Sequence, residues 1–170
     1  MSAYAPDAWE TFFAANAGAA AALAGLVFVG VSINVDMIAP SRRLAGRALE
    51  AFALLSSILI VSILALVPDI TTTGLGIALL VTGLAVWLLV LRLEGGQRDA
   101  TAELPPGTVP RGSVAAQVVV AQLATLPVLV AAVTLLLDAG GGLYWLVPST
   151  VFAYLGALMN AWVLLIEVRR

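Results

Sequence analysis

The chain has 170 residues, of which 62% are hydrophobic and 11% charged, with a formal net charge of −2. Soluble domains carry about 25% charged residues, so this chain has too few to coat a water-facing surface. It contains no His and no Cys, and all of its basic residues are Arg. That excludes disulfides, thiolate nucleophiles, His-ligated haem or zinc, Ser–His pairs and Schiff bases.

Pro6 and Asp7 look like a helix start, with Glu10 at capping-box spacing and Trp9, Phe12 and Phe13 forming an aromatic cluster suited to headgroup depth. A first span over 12–35 follows. Between Ala14 and Gly25 it is almost entirely Ala and Gly, a composition that lets helix backbones approach closely. At about 100° per residue, Gly18, Ala22, Gly25, Val29, Ser32 and Asp36 share one face, and Asn16, Ala20, Leu23, Val27, Gly30 and Asn34 share the opposite one. The first face is expected to pack against other helices, which makes this helix the centre of the molecule. Pro40 breaks the chain before a loop holding Arg42, Arg43 and Arg47.

Further spans are expected over 44–67, 75–91, 114–137 and 143–166, with a polar loop over 92–113 rich in Gly, Pro and charge. The third span carries Gly76 and Gly83, seven residues apart, and the fourth carries Gln117, Gln122, Thr125 and a mid-helix Pro127. Pro127 leaves the Leu123 carbonyl without its helical partner, and Gln122 and Thr125 are placed to help satisfy it. The fold expected is all-α, a single integral membrane bundle of five transmembrane helices.

Charge fixes the expected orientation. With five spans, every arginine (Arg42, Arg43, Arg47, Arg92, Arg98, Arg111, Arg169 and Arg170) falls on one side, and the turns at Asp69 and Asp138 on the other hold acids and no base. The positive-inside rule then places the C-terminus in the cytoplasm and the N-terminus outside.

Polar groups at bilayer depth are costly and either serve function or join helices. Asn16 and Asn34 lie ~27 Å apart along the first span and either line a pathway or satisfy themselves near the headgroups. Asn160 is the deepest strongly polar group in the last span and shares a face with Ser149, Gly156 and Glu167. It is expected to act as interhelical glue, with Ser32 or Gln122 as partners across the interface. The candidate polar residues are thus Asn16, Ser32, Asn34, Gln122 and Asn160, and the candidate packing residues are Gly18, Gly25 and Gly156. Glu50, three residues after Arg47, reads as half of an interfacial ion pair. No metalloprotease, P-loop or CxxC motif is present, so neither enzyme activity nor a cofactor is expected. Nucleic-acid binding has no basic patch to support it.

WETFF, ALAGLVFVGVSINVD and YWLVPSTVFAYLGALMNAWVLLIEVRR together resemble a group of small polytopic membrane proteins from high-GC bacteria, which implies a bacterial cytoplasmic membrane. ALAGLVFVGV is also similar to the pore helix of Orai calcium channels. No acidic residue stands at the filter position, where Ile33 and Asn34 lie nearby, so that function is not carried over. Two functions are expected: a homo-oligomeric channel or small pore-forming transport protein, or a non-catalytic accessory subunit of a larger membrane complex.

Overall fold

The computed structural model describes residues 2–103 and 111–166. Residues 104–110 of the expected loop, and Glu167, Arg169 and Arg170, lie outside the described residues. The helices are α1 (Glu10–Ile33), the one-turn α2 (Val35–Ile38), α3 (Arg42–Ala65), α4 (Thr72–Ala102), α5 (Arg111–Leu136) and α6 (Leu146–Ile166). Five segments are long and apolar enough to cross a membrane: Pro6–Ile33, Arg42–Ala65, Thr72–Ala102, Gly112–Leu136 and Gly142–Leu164.

Local chemistry sets several of the helix ends. After Pro40, Ser41 caps α3 by accepting from the Leu44 amide at 3.3 Å, and Thr71 caps α4 by accepting from Gly74 at 3.0 Å. Asp69 and Asp138 follow the ends of α3 and α5 in the left-handed region, with φ of 56° and 50°. A short acidic residue tolerates that conformation better than most. The expected Asp7 cap does not form: Pro6–Trp9 is a 3-10 turn preceded by Ala5, without a side-chain cap.

Helices α3, α4, α5 and α6 pack in a ring in chain order, with α6 closing against α3, while α1 lies outside the ring against α3. Successive long helices run antiparallel, which gathers the described arginines at one end and Asp69 and Asp138 at the other. We call these the Arg end and the Asp end. The core of the Asp end is apolar, built from Phe13, Val61, Leu75, Leu79, Val128, Leu135 and Leu143 among others. Midway, small residues take over: Ala20, Ala53, Ala121, Ala124 and Ala153 pack around Leu54, Ile58 and Val90.

The centre of the molecule is therefore α3, a correction to the expectation for α1. In its most apolar stretch 61% of α3 is buried, against 17% for α1. The two faces of α1 are also exchanged. The side bearing Ala20, Leu23 and Val27 packs on the bundle, meeting Ala51, Leu55 and Ala157. Gly18, Ala22, Gly25, Val29 and Ser32 are exposed, and a Cβ added at Gly18 or Gly25 would meet nothing within 4 Å. Because Ala and Gly surround this helix on every side, composition did not select a face. Of its larger side chains, Phe13, Leu23, Val27 and Val31 pack on the bundle, whereas Leu26, Phe28, Val29 and Ile33 are exposed.

The expected loop at 92–113 is also corrected. Residues 92–102 continue α4 as helix. Gly76, Gly83, Val90 and Gln97 are all buried and stand seven residues apart, so the inward register of α4 runs unbroken past its last apolar residues.

The N-terminal residues close the Asp end. The Tyr4 carbonyl accepts from Thr72 Oγ1 at 3.1 Å, its hydroxyl accepts from the Gly141 amide at 3.1 Å, and Trp9 stacks edge-on against Tyr144. Gly142 sits beneath this segment at φ +53°, where a Cβ would collide with the Ala3 carbonyl and the Tyr4 ring. Gly142→Ala is expected to cost about 1–2 kcal/mol from the backbone conformation alone. It should also detach residues 2–9, read as a lower Tm in mild detergent together with faster amide exchange in that segment.

Candidate functional site

Towards the Arg end the bundle interior turns from apolar to polar. Four helices contribute: Arg47 and Glu50 from α3, Glu94 and Gln97 from α4, Gln117 and Gln122 from α5, and Asn160 from α6. Glu50 and Asn160 are each 1% exposed and Glu94 is 4% exposed. Buried carboxylates are tolerated only where hydrogen bonds replace water, and the arrangement supplies them.

Glu50, Gln97 and Gln117 form a closed ring. Glu50 Oε2 accepts from Gln97 Nε2 at 2.8 Å and from Gln117 Nε2 at 2.7 Å, while Gln117 Nε2 also donates to Gln97 Oε1 at 2.9 Å. The ring is possible because Gly46 has no side chain. A Cβ there would stand 2.8 Å from Gln97 Cγ, so the glycine lets Gln97 lie against the α3 backbone.

A second group stands one turn along α4. Gln122 Nε2 donates to both oxygens of Glu94, at 3.3 and 3.4 Å, and Gln122 Oε1 accepts from Trp87 Nε1 at 2.9 Å. Arg98 approaches Glu94 to 4.0 Å from its exposed position. The two groups face a common cavity of about 20 Å³, lined by Glu94, Gln97, Gln117, Arg43, Arg47 and Arg98. That volume suits a single water, which needs roughly 10–15 Å³. On the far side, Arg47 Nη1 donates to Asn160 Oδ1 at 3.5 Å.

The sequence-derived candidates divide cleanly. Gln122 and Asn160 belong to this polar layer, although the partners of Gln122 are Glu94 and Trp87 rather than Asn160. Asn16 and Asn34 each donate the side-chain amide to the carbonyl four residues before it, Phe12 at 2.8 Å and Gly30 at 2.9 Å. Ser32 is exposed near the Arg end of α1. Gly156 lies in a tight contact, where a Cβ would stand 2.9 Å from Leu54 and 3.3 Å from Val120. Pro127 leaves α5 continuous. Thr125 donates to Ala121 and Ser149 of α6 donates to the Ala124 carbonyl, while Gln122 is engaged elsewhere.

Glu50, Glu94, Gln97 and Gln117 were missed as a set. Reading Glu94 and Gln97 as loop hid them, whereas continuing the seven-residue register from Gly76 would have turned Gln97 inward.

Comparison with protein-family models, with curated proteins and with solved structures finds no match to this chain.

Proposed function

We infer that the chain is a multi-pass protein of the bacterial cytoplasmic membrane, with its N-terminus outside and its Arg end in the cytoplasm. Its role in this reading is that of a homo-oligomeric transport protein for protons or small cations. The five apolar spans and the one-sided arginines support the insertion and the orientation. One observation carries the transport reading: two carboxylates, Glu50 and Glu94, buried among apolar helices and held by amides from neighbouring helices. Ionisable groups inside membrane bundles are expensive, and they commonly mark ion or proton paths.

The layer is reached from the Arg end, whereas Leu75, Leu79, Val128 and Leu135 fill the interior towards the Asp end. A route across the membrane therefore opens by helix movement or runs between copies of the chain. The exposed Gly18–Ala22–Gly25 face of α1 is a surface on which a second copy can pack closely.

The test is flux through purified protein in liposomes, read with proton- and cation-sensitive dyes. Wild type is expected to conduct, and Glu50→Gln, which keeps the shape of the ring, to fall to the level of empty vesicles. Silence of the wild type across ions and voltages overturns the transport reading. The same open α1 face favours the second reading, an accessory subunit. A different membrane chain recovered at fixed stoichiometry in gentle detergent would establish it.

A further inference from the structure

Between α5 and α6, at the Arg end, an outward-facing groove of about 400 Å³ is lined by Arg47, Gln117, Asn160, Leu158, Trp162 and Val163 among others. At roughly 30 Å³ per water, that is room for a substantial molecule. Its floor is polar and buried: Arg47 is 7% exposed and Asn160 is 1% exposed. Its outer wall is apolar and open, with Trp162 68% and Leu158 53% exposed.

Asn160 defines what the floor requires. An arginine can only donate, so the contact with Arg47 fixes Oδ1 as the acceptor and turns Nδ2 the other way. Nδ2 is buried and has no hydrogen-bond partner among the described residues. A buried donor without a partner costs about 1–3 kcal/mol, and an occupant bringing an acceptor would remove that cost. The guanidinium beside it selects for negative charge. The apolar wall, rimmed by a tryptophan of the kind found at headgroup depth, selects for an alkyl chain next to that charge.

We propose that this groove binds an anionic phospholipid of the surrounding bilayer, its phosphate accepting from Asn160 Nδ2 beside Arg47 and an acyl chain lying along Leu158 and Trp162. Basic pockets between spanning helices on the cytoplasmic side are suited to such headgroups. The proposal rests on the membrane insertion and orientation inferred above, which membrane fractionation and cysteine-accessibility labelling test separately. It is independent of whether the protein conducts.

The experiment is native mass spectrometry and thermal melting of the full chain in mild detergent. It compares phosphatidylglycerol, phosphatidylcholine of the same chains, and inorganic phosphate alone. Wild type is expected to retain one phosphatidylglycerol per chain and to melt higher with it, while phosphatidylcholine and phosphate do neither. Asn160→Ala should bind about tenfold more weakly, in line with the loss of one charge-assisted hydrogen bond. Ala116→Trp, placed on the exposed wall, should block binding without unfolding the bundle. Equal retention of the two lipids, stabilisation by phosphate alone, or an Ala116→Trp protein that folds and keeps the lipid would overturn the proposal.

Discussion

Gly156→Leu is expected to unfold most of the protein, whereas Gly25→Leu leaves each chain folded. At Gly156 a first added carbon already stands 2.9 Å from Leu54 Cδ1 and 3.3 Å from Val120 Cγ1. The whole isobutyl group has nowhere to go, because Leu54 is itself fully buried in the core of the bundle. Single inserted methylenes cost about 1–3 kcal/mol in packed interiors, so the full side chain should cost at least about 3 kcal/mol. At Gly25 nothing lies within 4 Å, and an open substitution typically changes stability by within about 0.5 kcal/mol. Unfolding in mixed micelles checks the first variant. For Gly25→Leu the informative readout is crosslinking in the membrane, where loss of the oligomer with an unchanged melting curve is expected. A Gly156→Leu protein as stable as wild type would mean that α6 does not approach α3 and α5 as closely as described.

The second large effect is at the polar ring. Glu50→Leu removes the acceptor for both Gln97 Nε2 and Gln117 Nε2, leaving one N–H of each facing leucine in a buried site while Gln117 Nε2 keeps Gln97 Oε1. At about 1–3 kcal/mol for each unsatisfied N–H, the expected cost is about 2–6 kcal/mol. The triple variant Glu50→Leu, Gln97→Leu, Gln117→Leu is expected to recover most of it, because apolar side chains of similar size replace a whole polar network far better than they replace one member. Flux should remain absent in that triple variant. That pair of results would separate stability from the proposed transport and assign the ring to its chemistry rather than to holding the helices together. If the triple variant is less stable than Glu50→Leu alone, the ring is instead a structural cross-brace.

How much of this was legible beforehand follows from what each signal measures. Hydropathy is a sum over a window, and it located all five apolar segments, from Pro6–Ile33 to Gly142–Leu164. Where polarity rises without a change of helix, the same sum misleads. Arg92, Glu94 and Gln97 lower the hydropathy of α4 while its backbone runs on to Ala102, and so Gln97 of the ring, with Glu94 beside it, falls in the expected loop. Periodicity is the better guide there, since Gly83, Val90 and Gln97 keep their inward register regardless of polarity.

Composition alone determined that this chain is a set of apolar segments long enough to span a membrane, with few charges and no His, Cys or Lys. Those properties are additive along the chain, so no partner is needed to read them. Which helix occupies the centre, which face of α1 is covered, and that Glu50 meets Gln97 and Gln117 were decided only by the tertiary structure. Small residues permit close approach on any side. The choice among sides depends on the shapes of the neighbouring helices, and a single segment does not carry that information.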